Sequence, residues 1–141
     1  MGRYKLIMDA RTRGVCLLLM LLSAGCAKQN GSAVTGTVTY VGKPLTTGAV
    51  TFQPIVAGPI AVGDIQSDGS FTLQTGSEIG LQPGEYLATV VATGPIPEAT
   101  PADPMPLPKL LVPARYGDVN TSGLKYTITP GPNTIQIQLT E

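Results

Sequence analysis

Histidine and tryptophan are missing from all 141 residues, and cysteine occurs only twice. Without an imidazole, Ser-His-Asp and Cys-His nucleophile systems fall away, as do HExxH zinc sites and most catalytic zinc sites. Charge is scarce as well. Nine Lys+Arg balance nine Asp+Glu, and 13% of residues are charged. Such a chain lacks the basic face that nucleic-acid phosphates demand, so no nucleic-acid partner is expected. What is abundant is Gly (17) and Pro (13), together with 43% hydrophobic residues. That much Gly and Pro is high for a globular domain, yet the apolar content is too high for a disordered chain. The length suits one ordinary domain.

The first 26 residues differ from the rest. Arg3, Lys5, Arg11 and Arg13 precede an apolar run, Val15–Leu22, then Ser23-Ala24-Gly25 and Cys26. A basic segment, a short apolar run and small residues describe a secretory signal peptide. The run is about half of the ~20 residues that a membrane-spanning helix needs. Leu22-Ser-Ala-Gly-Cys26 resembles the bacterial lipobox, with Ser23 where the common motif has Leu. That resemblance implies cleavage before Cys26 and a diacylglycerol on its thiol, with further acyl chains of the palmitate type. Met8 begins a complete signal of its own and stands beside Met1 as a start. Cys16 leaves with the signal and Cys26 carries lipid, so the mature chain has no disulfide. It has five basic and eight acidic residues, a net charge of −3. Lys28–Ser32 is polar and Gly-containing, a flexible tether. The expected division is therefore 1–25 signal peptide, 26–32 lipidated Cys and tether, and 33–141 domain. The expected location is the cell envelope, outside the cytoplasm. Ala27 is not the Asp that marks inner-membrane retention in some bacteria, which favours the outer membrane.

After Ser32 short runs of alternation are separated by turn residues. Val34–Tyr40, Gly48–Gln53, Ile60–Ile65, Phe71–Thr75, Glu85–Thr93, Leu124–Thr129 and Asn133–Thr140 read as strands. The last alternates strictly, with Ile135, Ile137 and Leu139 facing one way. Glu85–Thr93 is the most continuously apolar and reads as a central strand. Asp68-Gly69 carries a hairpin signal, and Leu81-Gln-Pro-Gly84 reads as a turn. No helical period appears past residue 26. Seven strands with Gly/Pro turns predict an all-β, antiparallel, seven-stranded sandwich, prealbumin-like or Ig-like. Val50, Phe52, Phe71, Leu73, Val90, Ile128, Ile135, Ile137 and Leu139 are the expected core.

Gly36-Thr-Val-Thr-Tyr-Val-Gly-Lys-Pro-Leu45, Gly48–Phe52, Ser67-Asp-Gly-Ser-Phe-Thr-Leu73 and Leu81-Gln-Pro-Gly-Glu-Tyr86 together resemble the carboxypeptidase regulatory-like domain, a transthyretin-like sandwich. Leu111–Tyr116, Thr121–Leu124 and Pro130–Asn133 with the closing strand resemble small lipoproteins of planctomycete bacteria. These resemblances imply a non-catalytic accessory or recognition module without cofactor, not an enzyme.

Few residues invite chemistry. Asp64, Asp68, Asp118 and Asn120 offer oxygen ligands for Ca²⁺, but too sparsely; turn capping is the expected role and no metal is expected. Glu78, Glu85 and Glu98 are scattered, which argues against paired-carboxylate hydrolysis. Of the aromatics suited to sugar stacking, Tyr40, Phe52, Phe71, Tyr86 and Tyr126 fall on strands, and only Tyr116 falls in a loop. Gly94–Pro113 holds seven prolines and should run extended, partly as polyproline II. It reads first as a crossover packed across the sandwich surface or edge; the other reading is a docking segment, with Pro95, Pro97, Pro101, Pro104, Pro106 and Tyr116 as candidate docking residues for an envelope protein or glycan. Leu110, Leu111, Val112 and Tyr116 are expected to pack down.

Overall fold

The structure, a computed structural model, describes residues 31–141. The expected signal peptide, Cys26 and most of the expected tether lie outside the described residues. Ten strand segments appear in order: β1 (Val34–Tyr40), β2 (Lys43–Pro44), β3 (Ala49–Pro54), β4 (Ala61–Asp64), β5 (Ser70–Thr72), β6 (Gln74–Thr75), β7 (Glu78–Ile79), β8 (Gly84–Val91), β9 (Leu124–Ile128) and β10 (Asn133–Leu139). A single 3-10 turn, Ala114–Gly117, precedes β9. The fold is all-β, with two open sheets. In the first, β10 lies along one edge of β1, while β5 and β2 share the other edge. The second runs β7-β6-β4-β3-β8-β9.

Alternation decides which side chains point between the sheets. In β1 Val34 and Val38 are buried while Thr35 and Thr37 face solvent. In β10 Ile135, Ile137 and Leu139 are buried and Thr134, Gln136 and Gln138 are exposed. From the second sheet Val50, Phe52, Tyr86, Ala88, Val90 and Ile128 join the same cluster. Phe52 stacks on the half-buried Tyr126 at 5.5 Å between centroids and meets Tyr86 at 6.2 Å. β8 is an interior strand rather than the central one, next to the edge strand β9 and paired on both sides, with β3 and β9, which accounts for its apolar sequence.

Four sequence expectations change. The sheets are not wholly antiparallel, because β1 and β10 pair in parallel, Val34 opposite Asn133 and Tyr40 opposite Leu139. Nearly the whole domain lies between these two strands, so no tight turn forces an antiparallel pairing. The Asp68-Gly69 turn forms, with Gly69 at φ 84°, but it does not close a hairpin. β4 before it pairs with β3 and β6, whereas β5 after it pairs with β1. The chain thus changes sheet at the turn, and Leu73 between β5 and β6 is fully buried. Leu81 is buried, not a turn residue, and bridges Ser32 through two backbone hydrogen bonds of 2.6 and 2.9 Å. Ser32, expected in the tether, is therefore part of the fold. Finally, β2, β7 and the separate β6 are two-residue pieces too short to leave a periodic pattern.

The sandwich has two distinct ends. β8 leaves the Ser32–Leu81 bridge at Gly84 and ends at Val91, about 24 Å away for eight residues of strand. Pro54 lies opposite Tyr86, so the β3–β4 loop shares the end where the chain enters. Gly84 lies opposite Ile128, which places the β9–β10 turn there as well. The proline-rich stretch leaves from the other end.

Candidate functional site: the proline-rich arm

Proline has no N–H to give a ladder, and seven prolines lie between Gly94 and Pro113. The chain here leaves the sheet as an arm closed at its base. Thr93 bridges Leu110; Gly94 N–H donates to Lys109 O at 2.8 Å, and Leu111 N–H donates to Ala92 O at 2.9 Å. At the tip Thr100 N–H donates to Asp103 O at 2.9 Å. Asp103 N–H donates back to the carbonyl and hydroxyl oxygens of Thr100, both at 3.1 Å. Between base and tip Pro95, Pro97, Pro101 and Pro104 are exposed and Pro106 is half-buried. Ile96 is 73% exposed, and Met105 and Leu107 are each 85% exposed. Apolar side chains this open, on a segment held apart from the core, form a surface that the fold itself leaves uncovered.

Beyond the base, expectation and structure diverge. Val112 is buried, but Leu110 and Leu111, at the base of the arm, are exposed. Tyr116 is 5% exposed and does not belong to the docking surface. Its phenol oxygen accepts from Arg115 Nη2 and from Thr140 N–H, both at 3.0 Å. The same guanidinium donates to Thr140 O at 3.1 Å and Glu141 O at 2.7 Å, and lies 4.8 Å from the Tyr116 ring centre. Arg115 and Tyr116 thus clasp the C-terminal end of β10, a structural role.

That clasp sets a measurable acidity. The Arg115 donor, with Thr140's donors behind it, favours the phenolate and lowers the Tyr116 pKa to about 8. Burial raises the pKa of Tyr86 and Tyr126 instead. A spectrophotometric titration of the folded protein is expected to show a tyrosine ionising near pH 8, ahead of Tyr86 and Tyr126, and Tyr116→Phe should remove that phase. Between about pH 8 and 10 the unfolded chain still holds a proton that folded Tyr116 has released. This group therefore adds stability as pH rises through that window. Absence of any phase near pH 8 that Tyr116→Phe removes would contradict the clasp.

The other candidates resolve into turn chemistry. Asp68 Oδ1 accepts from Ser70 Oγ at 2.6 Å and Ser70 N–H at 2.9 Å, and these bonds lower its pKa. Asp118 Oδ1 accepts from the Asn120 backbone and side chain. Asp64 is exposed on β4. No group of three or more Cys, Asp or Glu side chains is gathered among the described residues. Glu78, Glu85 and Glu98 stay apart, with Glu85 paired to Lys125 at 3.1 Å. A shallow groove of about 470 Å³ beside β4 is lined by Ile60, Val62, Asp64, Gln66, Thr72 and Gln74, with no aromatic ring among its walls. Comparison with protein-family models, curated proteins and solved structures finds no match.

Proposed function

We infer that the protein is a lipid-anchored, exported, non-catalytic β-sandwich of the carboxypeptidase regulatory-like, transthyretin-like kind, serving as an interaction module of the cell envelope. The observation that carries this reading is the arm. Its prolines restrict it before any partner arrives, so less conformational entropy is lost on docking. Ile96, Met105 and Leu107 supply apolar contacts, and Glu98 and Asp103 make it acidic. The partner that fits is an envelope protein with an aromatic-lined groove, the surface that takes extended proline-rich segments elsewhere, here with basic residues at its rim. The lipobox-like Cys26 and the missing histidines support the anchor and the non-catalytic assignment.

Two experiments test it. A photo-crosslinking residue at Leu107, in native membranes, should capture a partner that the same residue at Thr37 on the outer face of β1 does not. Replacing Ile96–Pro106 with a short Gly/Ser linker should abolish that capture and leave the melting midpoint unchanged. The base already holds the arm's ends together, and halving a loop changes closure cost by only ~0.6 kcal/mol. Unfolding of the replaced chain would make the arm structural and remove the docking reading. For the anchor, Cys26→Ala should stop lipid labelling and leave the precursor uncleaved; unchanged processing refutes it.

A further inference from the structure

The β3–β4 loop is six residues without a charge, Ile55-Val-Ala-Gly-Pro-Ile60, and every one is exposed. Val56 is 75% exposed, Ile60 50% and Ile55 48%. In a chain where half of the exposed strand residues are Thr or Gln, this concentration has no role in the sandwich core. The loop sits where the chain enters the fold. Gly31, Pro59 and Ile79 line one hollow, and Ile79 is itself 53% exposed. Ile55 N–H donates to Glu85 O at 3.0 Å, fixing the loop against the start of β8. The neighbouring turn, Thr129-Pro-Gly-Pro132, is also uncharged.

Charge divides along the same axis. Of the twelve charged residues in 31–141, Glu78, Glu85 and Lys125 lie toward the entry end, and the last two pair with each other. The other nine lie toward the arm, among them Lys43, Asp68, Arg115 and the C-terminal Glu141. Between Cys26 and Gly31 there are five residue steps, at most ~18 Å of extended chain. An anchor at Cys26 therefore holds the entry end, and not the arm, against the bilayer.

We propose that the entry end is a lipid-contacting face, with the Ile55–Ile60 loop and Ile79 dipping into the headgroup boundary beside the acyl anchor. The inference rests on the lipid-anchor reading and adds an orientation to it. The sandwich stands on its entry end and presents the proline-rich arm about one strand length further from the membrane. A diacylglycerol anchor already holds the chain at the membrane, so a further contact through apolar side chains serves to orient the domain. Because this face carries no basic cluster, contact should not require anionic lipid and should resist salt.

The chain has no tryptophan, so single substitutions report their own surroundings. Full-length, lipid-modified protein carrying Val56→Trp, Ile60→Trp or Leu107→Trp would be reconstituted into phosphatidylcholine vesicles with bromine-labelled acyl chains. Emission from the first two should shift to the blue and be quenched severalfold more than emission from Leu107→Trp, at low and high salt alike. Equal quenching at all three positions, or quenching confined to Leu107→Trp, overturns the proposal. The mass of the Cys26 peptide separates the two ideas. If it carries diacylglycerol while Val56→Trp and Ile60→Trp stay unquenched, the lipid-contacting face is wrong and the anchor stands. If it carries no lipid, the anchor reading fails and the orientation fails with it.

Discussion

Gly36→Val should leave the sandwich unable to close. A Cβ at Gly36 would meet the carbonyl oxygen of Ile135 and lie 2.6 and 2.8 Å from two atoms of the Phe71 ring. Gly36 sits on β1 opposite Ile135 of β10 on one side and Phe71 of β5 on the other. Neither neighbour yields easily, since one is ladder backbone and the other is a buried ring. Overpacking a well-filled core typically costs ~1–3 kcal/mol, and a collision with backbone belongs at or above the top of that range. Against a margin of about 5–15 kcal/mol, that should appear as a large fall in the urea midpoint or as failure to fold. Thr37→Val, one residue on and exposed, should change stability by about 0.5 kcal/mol or less. A near-native midpoint for Gly36→Val would mean that β1 and β10 are not in the observed register.

Gly36 also marks how far the sequence can be read. Its place in an alternating run assigns it to the inner face, between Val34 and Val38. Nothing local says that a phenyl ring from 35 residues away fills the space its missing side chain leaves. The same division runs through the molecule. The period of two in Asn133–Leu139 identifies the inward face of β10, and every residue expected in the core is buried. That period is silent about the neighbouring strand, so the parallel β1–β10 pairing is invisible to it. Leu81 stands beside Gln-Pro-Gly, and these turn residues obscure its burial. Prolines mark the arm plainly, because a segment with seven of them cannot join a ladder. By contrast, the fate of Tyr116 depends on Thr140, 24 residues later, and no local pattern announces it. The uncharged run Ile55–Ile60 is legible as composition, but its meaning needs topology. Only the pairing of Pro54 with Tyr86 and the bridge from Ser32 to Leu81 bring it beside the point where the chain enters the fold.

Ile137→Ala should be the most damaging of the simple truncations in β10. Ile137 is fully buried, pairs in register with Val38 and belongs to the cluster shared by both sheets. Removing a buried isoleucine to alanine costs about 2–5 kcal/mol, the upper values applying where the surroundings cannot collapse into the space. Collapse is restricted here. β10 is held along its length by β1, and at its end by Arg115 and Tyr116, so the strand cannot sink inward without breaking the Thr140 and Glu141 contacts. No second cysteine follows Cys26, so no disulfide within residues 27–141 offsets the loss. Ile135→Ala should cost less, because Ile135 is 8% exposed and lies near the entry of the strand. Gln136→Ala, between them on the outer face, should be nearly neutral. Urea melts of the three variants test the order directly. If Gln136→Ala proves as harmful as Ile137→Ala, the inner and outer faces of β10 are exchanged and the pairing with β1 is shifted by one residue.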